Sequence, residues 1–254
     1  MSEILLDKSE RIAVVTIDAP PVNALTLARY QAITDMFEAI SGMDDVNVVV
    51  FTAKGTRAFC AGLELKEFLA ATPEEDPARA RVVRATFKAI RHCAVPVIAA
   101  VNGPALGAGC VLAGVSDIRI ASEKATFSMP EINVGRCGGG AHTGRIVPQG
   151  MLRLMAFTGE QISAWEAYRI GYVERVVTPR LLMPTAMDIA QVIASKSRIG
   201  LTHMKEALNR VEDMPVDEGY ELEQQYSTRL MHTEDAREAT RAAVEKRAPV
   251  FKGR

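Results

Sequence analysis

Apolar residues recur along the first half of the chain in two alternating rhythms. The run RIAVVTI (11–17) is β-branched and predicts a strand. After the turn-forming DAPPVNAL, the residues Leu27, Tyr30, Ile33, Phe37 and Ile40 recur at helical spacing through TLARYQAITDMFEAI. VNVVVFTA (46–53) is apolar throughout, as expected of a strand buried on both faces. A polar loop then leads through AGLELKEFLA to a helix-compatible stretch from Pro77 to Cys93. VPVIAAVNG (95–103) reads as another buried strand, LGAGCVLAG as a helix that opens on glycines, and SDIRIAS as a strand again. This alternation predicts an α/β fold.

After about residue 178 strand signals vanish, and amphipathic stretches such as RLLMPTAMDIAQVIASKS, HMKEALNRVED and DAREATRAAVEKR take over. The change places a soft boundary at residues 196–200, dividing an α/β core (1–196) from a helical C-terminal piece (197–254). No fixed-period repeat or low-complexity segment stands out.

Composition narrows the classes. The 254 residues are 48% hydrophobic, enough to bury a large core as one domain or as one domain with an appendage. Thirty basic residues against thirty-one acidic ones leave no broad electrostatic footprint for nucleic acid or an anionic membrane. The four cysteines, Cys60, Cys93, Cys110 and Cys137, form no C-x-x-C pair, which points to free thiols in a reducing compartment and to no metal site. The N-terminal MSEILLDKSE lacks the apolar core of a secretory signal, and no apolar run approaches the roughly 20 residues that span a bilayer. The expected location is the cytoplasm.

Two glycine-containing turns carry candidate chemistry. NGPALGAGCVLAG follows a strand and opens a helix, but Leu112 stands where a dinucleotide fingerprint needs its third glycine, and ATFSMPE is a poor second strand to carry a ribose-binding acid. What this turn offers is backbone: an N–H near Ala108, at the start of a helix, has no internal partner. A second turn, in RAFCAGLELKEF, breaks at Ala61-Gly62. Together the turns can aim two N–H groups at one oxygen, the arrangement that stabilises an oxyanion. Small residues that merely allow tight packing are the competing explanation. One carboxylate, Glu131, lies in SMPEINVGRCGGGAH, a few residues before a triple glycine.

At these residues the sequence resembles the enoyl-CoA hydratase/isomerase, or crotonase, superfamily, and the resemblance runs over essentially the whole chain. PPVNAL is similar to its N-A-L turn, RAFCAGLELKEF to its F-x-A-G-A-D-L-K-E element, and AVNGPALGAGCVLAGVSDIRIAS to its A-x-N-G-x-A-x-G-G-G segment. ATFSMPEINVG, FTGEQISAWEAYRIGYVERVV and the ending EKRAPVFKGR are similar to further family motifs in the same order. The resemblance implies a crotonase-like spiral of ββα units with a helical C-terminal region that forms trimers, often paired into hexamers. It implies that the amides of Leu63 and Ala108 hold the thioester oxygen of an acyl-CoA, and that Ala61 and Lys252 contact the CoA portion. Coenzyme A then arrives as part of the substrate, and no separate cofactor is expected.

The resemblance also exposes a departure. Family hydratases carry two glutamates; Glu131 matches the second, while the first falls at Val111, most simply a core residue. A single carboxyl can move a proton between carbons of an enoyl-CoA, the isomerase pattern, and hydration asks it to serve both water and the α-carbon. In the glycine run Gly139 aligns with a position lining the reaction space. His142 replaces a glycine and is either a second acid/base or substrate contact, or a surface or capping histidine. Arg136 neighbours Cys137 in the same loop, but nothing else marks that thiol as a nucleophile. Glu64 reads as a helix-start charge and Asp117 as structural. The alternatives to an isomerase or hydratase are a thioester hydrolase or C–C lyase on the same fold, and a non-catalytic CoA-binding scaffold.

Overall fold

The computed structural model describes residues 3–254; Met1 and Ser2 of the N-terminal stretch lie outside the described residues. Strands β1 (Ile4–Ser9) and β2 (Ile12–Ile17) pair antiparallel. Helix α1 (Leu27–Ser41) follows, its N-terminus capped by Thr26, which accepts the Arg29 N–H. Strand β3 (Val48–Ala53) then lies parallel to β2.

From β3 onward the chain repeats one course: a long strand in a large sheet, a short extended piece in a second sheet, then helix. After β3 the short piece is Cys60, bridged to Ala105, and the helices are α2 (Leu65–Ala70) and α3 (Asp76–Arg91). After β4 (Val97–Val101) it is β5 (Ala105–Leu106), and the helix is α4 (Ala108–Gly114). After β6 (Ile118–Ser122) it is β7 (Thr126–Ser128), followed by a 3-10 turn over Pro130–Val134, α5 (Gly140–Thr143) and α6 (Gln149–Thr158). Strand β8 (Gln161–Ser163) closes the small sheet against β7; α7 (Ala164–Arg169) leads to β9 (Arg175–Val177), the last strand of the large one. The large sheet has the order β1-β2-β3-β4-β6-β9 and the small one β5-β7-β8. This course is the spiral of ββα units that the sequence motifs imply.

Alternation of side chains sorts the large sheet into two cores. Val15, Val49, Phe51, Val97 and Ala99 face the larger core with α1, while Ile12, Val48, Val50, Ile98 and Ala100 face the other way. Helix α8 (Leu182–Ala194) covers that second face with Leu182, Ala186 and Ala190, spaced by one turn each. Each such fully buried valine or isoleucine contributes about 1.5–3 kcal/mol.

The chain breaks between α8 and α9 (Arg198–Val211) at residues 195–197, where Ser197 caps the second helix by accepting the Gly200 N–H. Helix α9 stays tied to the sheet: Lys205, only 6% exposed, pairs with Asp117 at 2.7 Å and donates to the Val95 carbonyl at 3.0 Å. Asp117 also accepts the Val97 N–H, so its role is structural. Helices α10 (Val216–Met231) and α11 (Glu234–Glu245) complete the tail. No helix among the described residues is long and apolar enough to cross a membrane.

Candidate active site

The small sheet positions the candidate residues. Cys60, β5 and β7 lie side by side and parallel, and the chain leaves their C-terminal ends at Leu63, Ala108 and Glu131 in three successive courses. Ligands of open parallel sheets gather at such strand ends, where side chains and amides from neighbouring connections converge.

The first two connections are pressed together. A Cβ at Gly109 would stand 2.1 Å from the Cys60 carbonyl oxygen, so only glycine lets the α4 turn approach this closely. Gly62, at φ +90°, packs the other way: a Cβ there would meet the Leu106 carbonyl oxygen at 2.9 Å and the Ala108 nitrogen at 3.6 Å. The amides of Leu63 and Ala108 are therefore neighbours.

Local pairing leaves both amides unbound. Leu63 sits opposite Leu25 in a parallel bridge in which the Leu25 N–H goes to Gly62 and the Leu25 carbonyl accepts from Glu64. In that geometry the N–H of Leu63 itself points away from Leu25. Ala108 is the first residue of α4 and has no preceding helical carbonyl to bind. Among the described residues neither N–H has an acceptor.

Glu131 joins them through Gly107, where a Cβ would lie 3.0 Å from the carboxylate Oε1. The carboxylate thus stands beside the residue that immediately precedes Ala108. Burial lifts the Glu131 carboxyl above the usual carboxylate range, opposed by a hydrogen bond from its own backbone. Such a group exchanges its proton more readily near neutrality than a solvated glutamate.

The expected position of a second acid is closed and apolar. Val111 is 1% exposed, and Gly139, at φ +75°, lies directly on it: a Cβ at Gly139 would meet Val111 Cγ2 at 2.6 Å and Met129 Cε at 2.8 Å. Gly139 also caps α5, which carries His142. The His142 ring is half-buried, edge-on to Phe87 with centroids 5.5 Å apart, and makes no hydrogen bond among the described residues. Burial, and then the charges of Arg145 and Arg91, hold its pKa below the ordinary histidine value. Its ring packs between α5 and α3.

The remaining candidates divide. Ala61 lies two residues before Leu63 with its N–H committed to the Val22 carbonyl at 3.1 Å. Lys252 is held in the tail, its ammonium 3.3 Å from Glu234 and its backbone N–H on Asp235. Glu64 caps α2 by accepting the Lys66 N–H at 3.2 Å. Cys60 and Cys110 are fully buried, and burial pushes both thiols up to about 12. Cys137 is exposed.

One contact goes beyond the motifs. The Arg136 guanidinium lies 4.4 Å over the Phe68 ring and pairs with Asp76, while the Arg136 N–H donates to the Glu131 carbonyl at 2.9 Å. Arg136 therefore clips the loop carrying Glu131 to the helices that follow the Leu63 turn. Its partners lie about sixty residues upstream, and no local pattern announces them.

Comparison with known proteins places this geometry. The chain is similar to an enoyl-CoA hydratase from Bacillus anthracis of known structure, with a TM-score of 0.95, 32% identity and full coverage of both chains. The fold is the crotonase fold. A family model described as enoyl-CoA hydratase/isomerase matches residues 7–254, and the short-chain-enoyl-CoA hydratase of Clostridium acetobutylicum is 35% identical over 251 residues, 97% of this chain and 96% of the relative. The chain belongs to the enoyl-CoA hydratase/isomerase family. It is also similar to the (7aS)-7a-methyl-1,5-dioxo-2,3,5,6,7,7a-hexahydro-1H-indene-carboxyl-CoA hydrolase of Rhodococcus jostii, 37% identical over 220 residues, 86% of this chain and 85% of the relative.

Proposed function

We propose that the protein is a single-base acyl-CoA enzyme that isomerises or hydrates an enoyl-CoA. The observation that carries this reading is the pair of unbound amides, Leu63 and Ala108, standing together beside the Glu131 carboxylate. The amides hold the thioester oxygen, where negative charge grows as an enolate forms, and are worth more there than in the ground state.

In isomerisation the Glu131 carboxylate takes a proton from the α-carbon of a 3-enoyl thioester. The electron pair passes to the thioester oxygen, and the carboxyl returns the proton to the γ-carbon as the double bond moves. In hydration the oxygen of water bonds to the β-carbon and its proton passes to Glu131. The electron pair of the double bond reaches the thioester oxygen, and the carboxyl then protonates the α-carbon. With Val111 where family hydratases carry their first glutamate, one carboxyl serves both proton transfers. Ala61 and Lys252 bind the CoA portion; the exposed Met204, Leu208, Tyr220 and Met231 on α9 and α10 support a trimer or dimer of trimers built on the tail. The location remains the cytoplasm, with no nucleic acid or membrane partner and no cofactor beyond the CoA of the substrate.

Turnover of crotonyl-CoA or a 3-enoyl-CoA tests this. Glu131→Gln is expected to lower the rate about a thousandfold, and equal rates in variant and wild type reject the base. The base must be ionised, so kcat/KM is expected to fall on the acid side with an apparent pKa above 4.5, the unperturbed value. The folded protein binds this proton more tightly than the unfolded chain. Stability from this group therefore declines as pH rises through the window between the two pKa values, and Glu131→Gln is expected to raise Tm slightly at neutral pH.

The hydrolase relative favours a second reading, in which the same amides stabilise charge during thioester hydrolysis or C–C cleavage. Release of free CoA, read with a thiol reagent, supports thioester hydrolysis, and a shortened acyl chain supports cleavage. A scaffold binds the ester and leaves it unchanged.

A further inference from the structure

The C-terminal tail turns back along α11. The helix ends at Glu245, Lys246 follows in the left-handed conformation at φ 53°, and residues 247–254 then retrace the helix toward its own N-terminus. Two carboxylates of α11 guide them. Glu238 pairs with Arg247 and accepts the Val250 N–H at 3.0 Å. Asp235, nearly one turn earlier, accepts the Lys252 N–H at 2.7 Å and the Gly253 N–H at 3.1 Å, while its own N–H donates to the Arg254 carbonyl at 3.0 Å.

Asp235 is an expensive place for a charge. It is 1% exposed, and the nearby Lys252 and Arg254 side chains pair with Glu234 instead. A buried carboxylate is strongly unfavourable unless hydrogen bonds satisfy it, and three donors do so here: the two tail amides and the Ser197 hydroxyl at 2.6 Å. Two of the three belong to the tail. Gly253 stands at φ +76°, the left-handed backbone that favours glycine, which lets successive amides turn onto one carboxyl. Starting the helix does not require Asp235, because Thr233 caps α11 by accepting the Ala236 N–H at 3.1 Å.

The tail placed in this way borders an open groove of about 200 Å³. Lys252, Arg237 and Arg241 line it with Glu234 and Glu238, and Glu238 is already paired with Arg247. The remaining surplus of cations suits an anion. The Lys252 side chain is 60% exposed, and its contact with the equally open Glu234, at 3.3 Å, is the kind of surface pair that yields readily to a phosphate.

We infer that Asp235 is a positioning residue for the CoA portion of the substrate: by holding the Lys252 and Gly253 amides it fixes where the Lys252 ammonium stands, and that ammonium meets a phosphate of CoA. This rests on the acyl-CoA reading above, in which Lys252 binds CoA, and adds the group that presents it. Asp235 itself touches neither the ester nor the reacting atoms.

The test is calorimetric titration with coenzyme A, which none of the proposed reactions consumes, on wild type, Asp235→Asn, Lys252→Ala and the double variant. Asparagine keeps the shape of the side chain but places an NH2 group where the carboxylate accepts. Lys252→Ala is expected to weaken CoA about tenfold and Asp235→Asn about fivefold. The double variant is expected to bind no more weakly than Lys252→Ala alone, because a residue that acts through Lys252 then has nothing left to position. Wild-type affinity in Asp235→Asn beside a weakened Lys252→Ala overturns the proposal. Losses that add in the double variant also overturn it and make Asp235 a general fastener of the C-terminal helices. Gly253→Val loosens the tail from its own side and leaves α11 intact, since a β-branched residue does not hold φ +76°, and so serves even where Asp235→Asn does not fold. It is expected to weaken CoA in the same direction, and wild-type affinity there overturns the proposal. Wild-type affinity in Lys252→Ala removes that lysine from the CoA site and this inference with it, leaving the Glu131 and amide assignments standing, whereas failure of the wild type to bind CoA overturns the acyl-CoA reading as a whole.

Discussion

The two sheets divide the labour of the molecule. The large sheet is made of long runs such as β3, in which all six residues are buried, and its faces supply both hydrophobic cores. The small sheet has strands of two or three residues, yet Leu63, Ala108 and Glu131 all leave from its strand ends. The fold's free energy resides mainly in the first, and the geometry of the site in the second. A short strand held by its neighbours can place a backbone amide accurately, because glycines at 62 and 109 let its connections touch.

This division can be broken from either side. The largest expected effect on stability comes from the large sheet. Ile98 is fully buried against α8, and Ile98→Ala is expected to cost about 3 kcal/mol through lost burial and a residual cavity. Denaturant titration reads that loss, and kcat of the folded fraction is expected to stay at the wild-type value. A fall in kcat as large as the fall in stability would show that the sheets are not separable.

A smaller effect is expected from the clip beside the small sheet. Arg136→Ala removes the pair with Asp76 and the stack on Phe68, both at the molecular surface, so little stability is at stake. The Glu131 loop loses its tie to the helices after Leu63, and kcat is expected to fall about tenfold with KM little changed, as a misplaced base requires. Arg136→Lys restores the charge and not the planar stack, and is expected to recover only part of the rate. An unchanged kcat in both variants would assign the clip to the surface alone.

The same contrast explains what the chain reveals before its structure is known. Strands β2, β3, β4 and β6 are legible as apolar runs, α1, α8 and α11 as periodic stretches, α3 as a helix-compatible one, and α4 as a helix opening on glycines, because five or more residues are enough to show a run or a period. Strand β1 is not, since ILLDKS is an edge strand with one residue, Ile4, fully buried. The short strands β5, β7, β8 and β9 carry too few residues for any period, and their pairing is set by tertiary context. Helix α10 is mostly polar and exposed, and helix α9 begins earlier than its clearest amphipathic stretch.

The site residues are legible in another way. Leu63, Ala108 and Glu131 come from the family resemblance, and no periodicity marks an amide that lacks an acceptor. Tyr30 reads as one of five core positions on α1 and is one, buried with Ile33, Phe37 and Ile40. Val111 reads as a core residue and is one; its consequence, an apolar wall against Gly139, depends on contact across the fold. Position 142 reads as a choice between chemistry and surface, and the ring's contact with Phe87, across the fold, is not legible in the sequence.

The central claim is that two main-chain amides grip one thioester oxygen, and isotope-edited infrared spectroscopy of bound acyl-CoA addresses it most directly. With 13C at the thioester carbonyl, the stretch is expected to shift to lower frequency on binding, and to keep that shift in Glu131→Gln, which leaves both amides in place. A bound carbonyl that vibrates at its frequency in water would contradict the account.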